Sequence, residues 1–541
     1  MVKSDGGVAQ SALGDALSEW AAVLGPAFVI SDPERLRRAS TATFATSARA
    51  VAILLPANRE DVQRAVHIAN RFAIPLYPIS TGKNWGYGSG APVRDAVLLD
   101  LSRLNRIVDF DEDLAYVTVE PGVTQQQLHD FLRTRGSRLW MDATGSSPGC
   151  SVVANTLERG FGHTPMGDHC GCASGFEVVL PNGECIDTGF SRFRNTRTGA
   201  LSRWGLGPSL DGLFSQSNFG IVTRMSIWLM PAPEYFQAFF FQANRSIGPI
   251  IEALRPLKQD GTIRSVMHIG NDYKIFSGTR DYPWNETGSK TPLSADLMAT
   301  LRRKYRIGLW SGSGALYGTR NQVGEARRLI RKALRGRVDR LQFVDDRRLR
   351  LLQRLEAPYR LFTRRDDLAR TLKLLPPLLA LQKGIPSEEF LPSMYWRKRG
   401  GAERSLDPDA DRCGLLWCSP VAPSTAKDVE AVTRLATDLV LAHGFEPMIS
   451  VSLITERSTV TTIAITYDRE QSGEDDRAIA CYHALTKELL DTGYPPYRLS
   501  VAAMGYMDSE GGYSNVLQSI KKALDPNGIL GPGRYEIRRV Q

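Results

Sequence analysis

Pro78-Ile-Ser-Thr-Gly-Lys-Asn-Trp-Gly-Tyr-Gly-Ser-Gly-Ala-Pro92 is the stretch on which the reading of the fold turns. It continues from a short apolar segment, Pro75 to Ile79, that reads as a strand, and it places four glycines in the nine residues from Gly82 to Gly90. Backbone N–H groups of such a loop can approach a phosphate closely. Gly86, Gly88 and Ala91 fit a degenerate G-x-G-x-x-A. A dinucleotide fold would open a helix there, however, and Pro92 with the strand beyond it argues against one. Spacing alone leaves two readings open: a phosphate cradle of another kind, or a tight turn.

Working outward, Val51 to Leu55 reads as a buried strand and Asn58 as a helix N-cap, with Glu60 and Asp61 in the first turn. Val62, Ala65, Val66 and Ala69 share one helical face, so the strand at 75–79 completes a β-α-β unit. Strands follow at Val97 to Leu101 and Tyr116 to Glu120, then a helix from Thr124 to Thr134, which makes an α+β domain with mixed strands. Phe176–Leu180 and Glu184–Asp187 flank Pro181-Asn182-Gly183, where Asn-Gly would supply the positive φ angles of a hairpin. Composition shifts after Pro231-Ala232-Pro233. From Tyr235 to Pro495 strands and helices alternate, as in Ala315–Tyr317 before an Arg-rich helix and Thr461–Tyr467 before Asp476–Asp491. That pattern predicts a second domain, an antiparallel sheet with helices on one face. The tail from Leu524 to Arg534 is turn chemistry.

Composition excludes several classes. The 541 residues suggest two or three domains, and 42% hydrophobic with 23% charged residues is globular usage. No uncharged apolar run nears the roughly 18 residues of a membrane span. Met1 to Leu17 has no apolar core of a secretory signal, and the seven scattered cysteines make no disulfide framework. A cytoplasmic location is expected. Cys170 and Cys172 lack a partner pair for zinc, so no metal is expected. The net charge of +9 is concentrated between Arg302 and Arg370. Leu329, Ile330, Ala333 and Leu334 recur there at helical spacing, which puts the arginines on a solvated face, and no nucleic-acid module accompanies them. An acidic partner or anionic substrate stays compatible with this charge. Gly145-Ser-Ser-Pro-Gly149 is a literal G-x-S-x-G, but Pro148 cannot supply the N–H that an oxyanion hole needs after Ser147.

The loop at 78–92 resembles the FAD-binding loop of the vanillyl-alcohol oxidase and 4-cresol dehydrogenase flavoprotein family. So do Val119-Glu-Pro-Gly-Val123, Asn155-Thr-Leu-Glu-Arg-Gly160, His163 to His169 and Gly175 to Gly183. Leu210 to Phe214, Asn218-Phe-Gly220, Ala357-Pro358, Tyr497-Arg498 and Asp525 to Gly533 complete the likeness in the expected order. The resemblance implies an α+β fold of two domains: an FAD-binding domain over 1–233 completed by 502–541, and a cap domain over 234–501. It implies FAD bound by Ser80, Thr81, Gly82, Lys83, Asn84, Gly86, Tyr87, Gly88 and Ser89. Gly145, Ser146, Gly149, Cys150, Ser151, Asn155, Glu158, Arg159, Gly160, Gly220, Ile221, Tyr395 and Arg498 join that set. It further implies hydride removal from the benzylic carbon of a para-substituted phenol, a small aromatic partner, by flavin N5. The electron acceptor is then oxygen or a redox protein, and a homo-oligomer is expected.

The chemistry agrees with that implication. Ionising a phenol of pKa near 10 costs about 4 kcal/mol at pH 7. The phenolate makes hydride loss easier, and a buried Arg flanked by tyrosine hydroxyls offsets the cost. By resemblance the catalytic set is Tyr87, Tyr497 and Arg498, with Glu389 at an acidic pocket position. An ordinary cross-strand Tyr-Arg contact, and an exposed loop glutamate, are the plainer readings. The chain also departs from the family. No histidine lies between His268 and His443 to tether FAD, and Leu415 and Leu416 stand at about that place. Tyr395 is one residue off a tyrosyl tether, so noncovalent FAD is expected, with Tyr395 as the alternative link. Val460 and Ala464 replace acidic and histidine residues expected to face the substrate, and Ser146 and Ser147 replace an acid near N5. A non-phenolic alcohol or amine substrate, or a basic binding protein without catalysis, are the alternatives.

Overall fold

Asn58 is extended and its side chain accepts the Asp61 N–H at 2.9 Å, so the helix Arg59–Phe72 begins where its cap predicts. The computed structural model describes residues 10–363, 367–399, 406–507 and 511–536, apart from the side chains of 357–371, 373 and 374. Ala357 and Pro358 therefore lie outside the described side chains. The helix Arg59–Phe72 buries Val62, Ala65, Val66 and Ala69 against the strands Ala50–Leu54, Leu76–Ile79 and Ala96–Asp100. Both neighbours of Ala96–Asp100 run parallel to it, and Val29–Ile30 closes the edge antiparallel. The helix Gln10–Leu24, which the sequence reading does not include, roofs this unit. Its Trp20 is fully buried, and the indole N–H donates to the Ala65 carbonyl.

A second sheet is antiparallel in the order Ile107–Asp111, Tyr116–Val119, Ile221–Trp228, Ala173–Val179, Cys185–Asp187. Its last hairpin turns differently from expectation. Gly183 has φ +85° while Asn182 does not enter the left-handed region. Pro181 presets the second position of a turn closed by the Gly183 N–H on the Leu180 carbonyl at 2.8 Å, so one glycine absorbs the left-handed step.

The third sheet is antiparallel throughout. Its order is Arg340–Val344, Tyr235–Ala243, Trp310–Gly318, Met267–Asn271, Met448–Leu453, Ser458–Asp468, Cys413–Cys418, with Val421–Pro423 also on Ser458–Asp468. Strand alternation sorts its faces. Phe239, Phe241, Met267, Ile269, Ile449, Val451, Ile463 and Ile465 pack under the helices Gly248–Gln259, Arg320–Leu334, Ala426–Ala442 and Glu474–Asp491. Phe240, Gln242, His268, Ser311, Ser313, Ser450, Ser452 and Thr462 face the other way, into a cavity. On Arg320–Leu334 the buried residues are Val323, Ile330 and Leu334, and Arg320, Arg328 and Arg331 are exposed.

The tail returns to the first unit. After the helix Gly512–Leu524, the Asp525 carboxylate accepts the N–H groups of Ile529 and Leu530 at 2.9 Å each. Leu530 then lies beside Leu76, through Leu76 N–H to the Ile529 carbonyl and Gly531 N–H to the Leu76 carbonyl. Val501–Met507, of which 502–507 were expected to complete the FAD-binding domain, buries Ala503 and Met504 in the third sheet's core, and the Met504 sulfur accepts the Tyr535 N–H at 3.3 Å. Among the described residues no helix is long and apolar enough to cross a membrane.

Candidate active site

The three larger sheets contribute to one cavity of about 750 Å³, a volume suited to a cofactor with a small substrate. One wall is the loop after Leu76–Ile79. Ser80, Thr81, Gly82, Lys83, Asn84, Tyr87 and Ser89 line it. The segment is turn rather than helix, with Tyr87 and Ser89 N–H both donating to the Asn84 carbonyl at 3.1 and 2.9 Å. Gly145, Ser146, Cys150, Ser151, Asn155, Glu158 and Gly160 form a second wall, and Gly220, Ile221, Tyr497 and Arg498 join them.

Six expected site residues do not line the cavity. Gly86 has φ +76°, and a methyl there would collide with the Trp417 indole. At Gly88 it would stand 2.6 Å from the Val501 side chain. Their lack of a Cβ makes room for the cap, not for the cofactor. Gly149 turns its Cα towards the Lys83 stem, 3.0 Å from where a Cβ would be. Arg159 is exposed and its Nε–H donates to Ser215 Oγ at 3.1 Å. Glu389 is exposed, on a loop outside the lining. Tyr395 is fully buried in an apolar cluster with its hydroxyl donating to Asp411 Oδ2 at 2.7 Å. Leu415 and Leu416 are buried, and Ser147 is buried with its Oγ accepting the Gly149 N–H.

Tyr87, Tyr497 and Arg498 do come together. The Arg498 guanidinium lies 4.1 Å over the Tyr87 ring, and both residues act electrostatically on the buried Tyr497 hydroxyl. Tyr87 shares a 2.8 Å hydrogen bond with Ser419 Oγ. Burial pushes both phenols up, far for Tyr87 and less for Tyr497 because Arg498 pulls the other way. Both are therefore protonated donors near neutrality. Arg498 Nε–H donates to Glu158 Oε2 at 3.1 Å and its Nη2 to Asn84 Oδ1. Glu158 also accepts from Arg534 and, at 2.9 Å, from Tyr535. Burial raises its carboxyl, but Arg534 and Arg498 outweigh that and hold it at about 2. Two guanidiniums on one carboxylate leave a net positive charge of one.

The sequence reading did not single out Arg534, Lys274, His163 or His268 as lining residues. The 163 and 268 rings are 4.2 Å apart. His268 Nε2 donates to the Gly162 carbonyl at 3.2 Å, so its Nδ1 accepts from Ser452 Oγ at 3.0 Å. Burial pushes His268 down to about 4 and His163 well below its ordinary value. His169 is held between Asp142 and Asn155 at 2.6 Å on each side. Arg534, as the end of the turn-rich tail, and His163, as the start of the motif at 163–169, carried a signal in the sequence; Lys274 and His268 did not.

Val460 and Ala464 are buried where acidic and histidine side chains were expected, and Thr462 between them reaches the cavity. Among the described residues, Ser217 Oγ, Ser311 Oγ and Arg534 Nη1 are buried on the cavity wall with no protein partner. An orphaned polar atom costs about 1–3 kcal/mol, so a polar ligand fits this wall. The turn at Ser80 to Asn84 and the cationic end suit the diphosphate and ring of FAD.

The fold and the site define an FAD-binding oxidoreductase. A family model described as "FAD binding domain" matches residues 50–189. The chain is 45% identical over 530 residues to 1'-carboxy-chondrochloren decarboxylase of Chondromyces crocatus, spanning 97% of each. It is 31% identical over 550 residues to the 4-cresol dehydrogenase (hydroxylating) flavoprotein subunit of Pseudomonas putida, spanning 98% of this chain and 97% of that protein. A crystal structure of p-cresol methylhydroxylase with substrate bound superposes with a TM-score of 0.88 at 28% identity, covering 98% of both chains. The chain belongs to the vanillyl-alcohol oxidase and p-cresol methylhydroxylase family of FAD-dependent oxidoreductases.

Proposed function

We propose that this chain removes a hydride from the benzylic carbon of a para-substituted phenol. The convergence of Tyr87, Tyr497 and Arg498 on one cavity wall carries the reading. Bound FAD supplies the hydride acceptor. Arg498 stays charged, and the two tyrosines donate to the phenol oxygen. Each hydrogen bond to a charged group is worth about 1.5–3 kcal/mol, so two of them cover the roughly 4 kcal/mol of ionisation at pH 7. FAD is held without a covalent link in this reading, since Tyr395 is engaged by Asp411 outside the cavity lining. The FAD-binding domain then spans 1–233 and resumes in the tail. A reducing compartment such as the cytoplasm suits the free cysteines. Anaerobic mixing tests the phenol reading: free para-alkyl phenols bleach the flavin and their O-methyl ethers do not. Equal bleaching by both would sink it.

A second reading concerns the fate of the oxidised phenol. Val460 and Ala464, with Thr462 between them at the cavity, offer no acid or base to activate water, and the 45% identical relative is described as a decarboxylase. A carboxylate on the carbon beside the benzylic position would leave as CO₂. Its bonding pair would return the quinone methide to a phenolate and create a vinyl group. Product analysis in isotopically labelled water separates the outcomes: vinylphenol and CO₂ support this reading, and labelled benzylic alcohol refutes it.

A further inference from the structure

Lys274 enters the cavity from the helix Asp272–Thr279, against a wall of serines and an indole. Its stem lies over Gly270, where a methyl group would stand 3.3 Å from Lys274 Cγ. The ammonium donates to Ser393 Oγ at 3.3 Å and sits 5.9 Å from the Trp417 ring centroid. Among the described residues no carboxylate pairs with it. Asp272 on the same helix is held by Arg302 at 2.6 Å, and His268 on the adjoining strand is neutral. Lys274 is half-buried on the cavity wall, and an ammonium drawn out of bulk water without a counter-charge is costly. Burial alone pushes this amine down to about 8.

Its place is separate from the tyrosine–arginine end. Arg498 stacks on Tyr87, Tyr497 meets Phe161, Phe161 stacks on His268, and His268 lies within electrostatic reach of Lys274. The polar floor between them carries Ser450, Ser452 and Thr462. We propose that Lys274, with Ser393, forms a subsite for a carboxylate on the substrate, so that the substrate is a para-substituted phenol with an anionic side chain. This rests on the phenol reading above for the other end of the molecule. The carboxylate would supply the counter-charge that the protein withholds, and Ser393 would orient the ammonium towards it.

The test uses FAD-loaded wild type, Lys274→Met and Lys274→Arg, with para-hydroxyphenylpropanoate, para-propylphenol and hexanoate as probes. Binding is read from perturbation of the flavin spectrum under anaerobic conditions. The expected result is that Lys274→Met weakens para-hydroxyphenylpropanoate about 10- to 100-fold, the scale of one charge-assisted hydrogen bond. Para-propylphenol should be unchanged, and Lys274→Arg should recover part of the loss. Should both phenols bind alike in wild type and in Lys274→Met, the subsite is refuted while the phenol reading stands. If neither phenol binds but hexanoate does so in a Lys274-dependent way, the subsite stands and the phenol reading fails. If no carboxylate binds at all, the subsite is refuted. A Lys274→Met protein that folds but purifies without FAD would assign the ammonium to the cofactor and overturn the proposal.

Discussion

The two cationic ends of the cavity follow opposite rules. At one end Arg498 and Arg534 share the Glu158 carboxylate, with Tyr535 donating to it, so each guanidinium is paired within the protein. At the other, among the described residues, Lys274 has Ser393 and the Trp417 ring for company. A guanidinium pinned to a carboxylate keeps its charge at any workable pH, whereas an ammonium left without one becomes titratable. The first end therefore offers a permanent field for developing negative charge. The second offers a charge that is fully expressed only when an anion arrives.

The comparison breaks most readily at Arg498. Arg498→Ala should slow flavin reduction by phenols by several orders of magnitude in stopped-flow traces, with Arg498→Lys recovering little because the planar fork is lost. Equal rates would deny the permanent field any role. Next comes its counter-ion. Glu158→Gln leaves two buried guanidiniums sharing no carboxylate, which should cost about 3–5 kcal/mol, read as a lower Tm and lost flavin. Wild-type stability should show the same ion by pH. Glu158 is depressed from 4.5 to about 2, so its contribution is present above 4.5 and is lost as pH falls towards 2, a span worth about 3 kcal/mol. The tyrosines come third. Tyr87→Phe and Tyr497→Phe should each cost about 1.5–3 kcal/mol of transition-state stabilisation, measured as reduction rate.

At the lysine end the effect is smaller and is lost as pH rises. Burial pushes Lys274 down to about 8, and among the described residues the groups facing it do not change charge nearby: burial pushes His268 down to about 4, Ser393 and Trp417 are neutral, and Asp272 is tied to Arg302. Above the titration range of the ligand's own carboxyl, affinity for a carboxylated phenol should therefore be flat up to about pH 8 and fall by at most about 10-fold per unit beyond it, as the ammonium loses its proton. A neutral phenol should show no such break. A shared break would place Lys274 outside substrate recognition.

Legibility differed between these regions for a physical reason. The glycine-rich loop, Asn155 to Gly160 and Tyr497-Arg498 are local runs, and local runs carry turn and contact chemistry in their own order. Within the loop, though, sequence could not say which way each glycine faces. Gly86 reads as open backbone for a phosphate, yet it is Trp417, more than 300 residues later, that occupies the space beside it. Tyr395 and Glu389 failed for the same reason. Their neighbours along the chain, Ser393, Met394 and Phe390, do reach the cavity, and a one-residue change of facing is invisible without the packing.

What the sequence determined by itself is the alternation of elements, the turn chemistry of the tail and loops, and the tyrosine–arginine pair, because each depends on residues close together in the chain. What only the tertiary structure decided is the company each charge keeps. Arg534 meets Glu158 because the tail is stitched to Leu76, and among the described residues Lys274 meets serines rather than a carboxylate because strand pairing brings serines to its side of the sheet. Electrostatic partnership falls off within a few ångströms in space and has no fixed range along the chain, so it is settled only when distant segments are packed together.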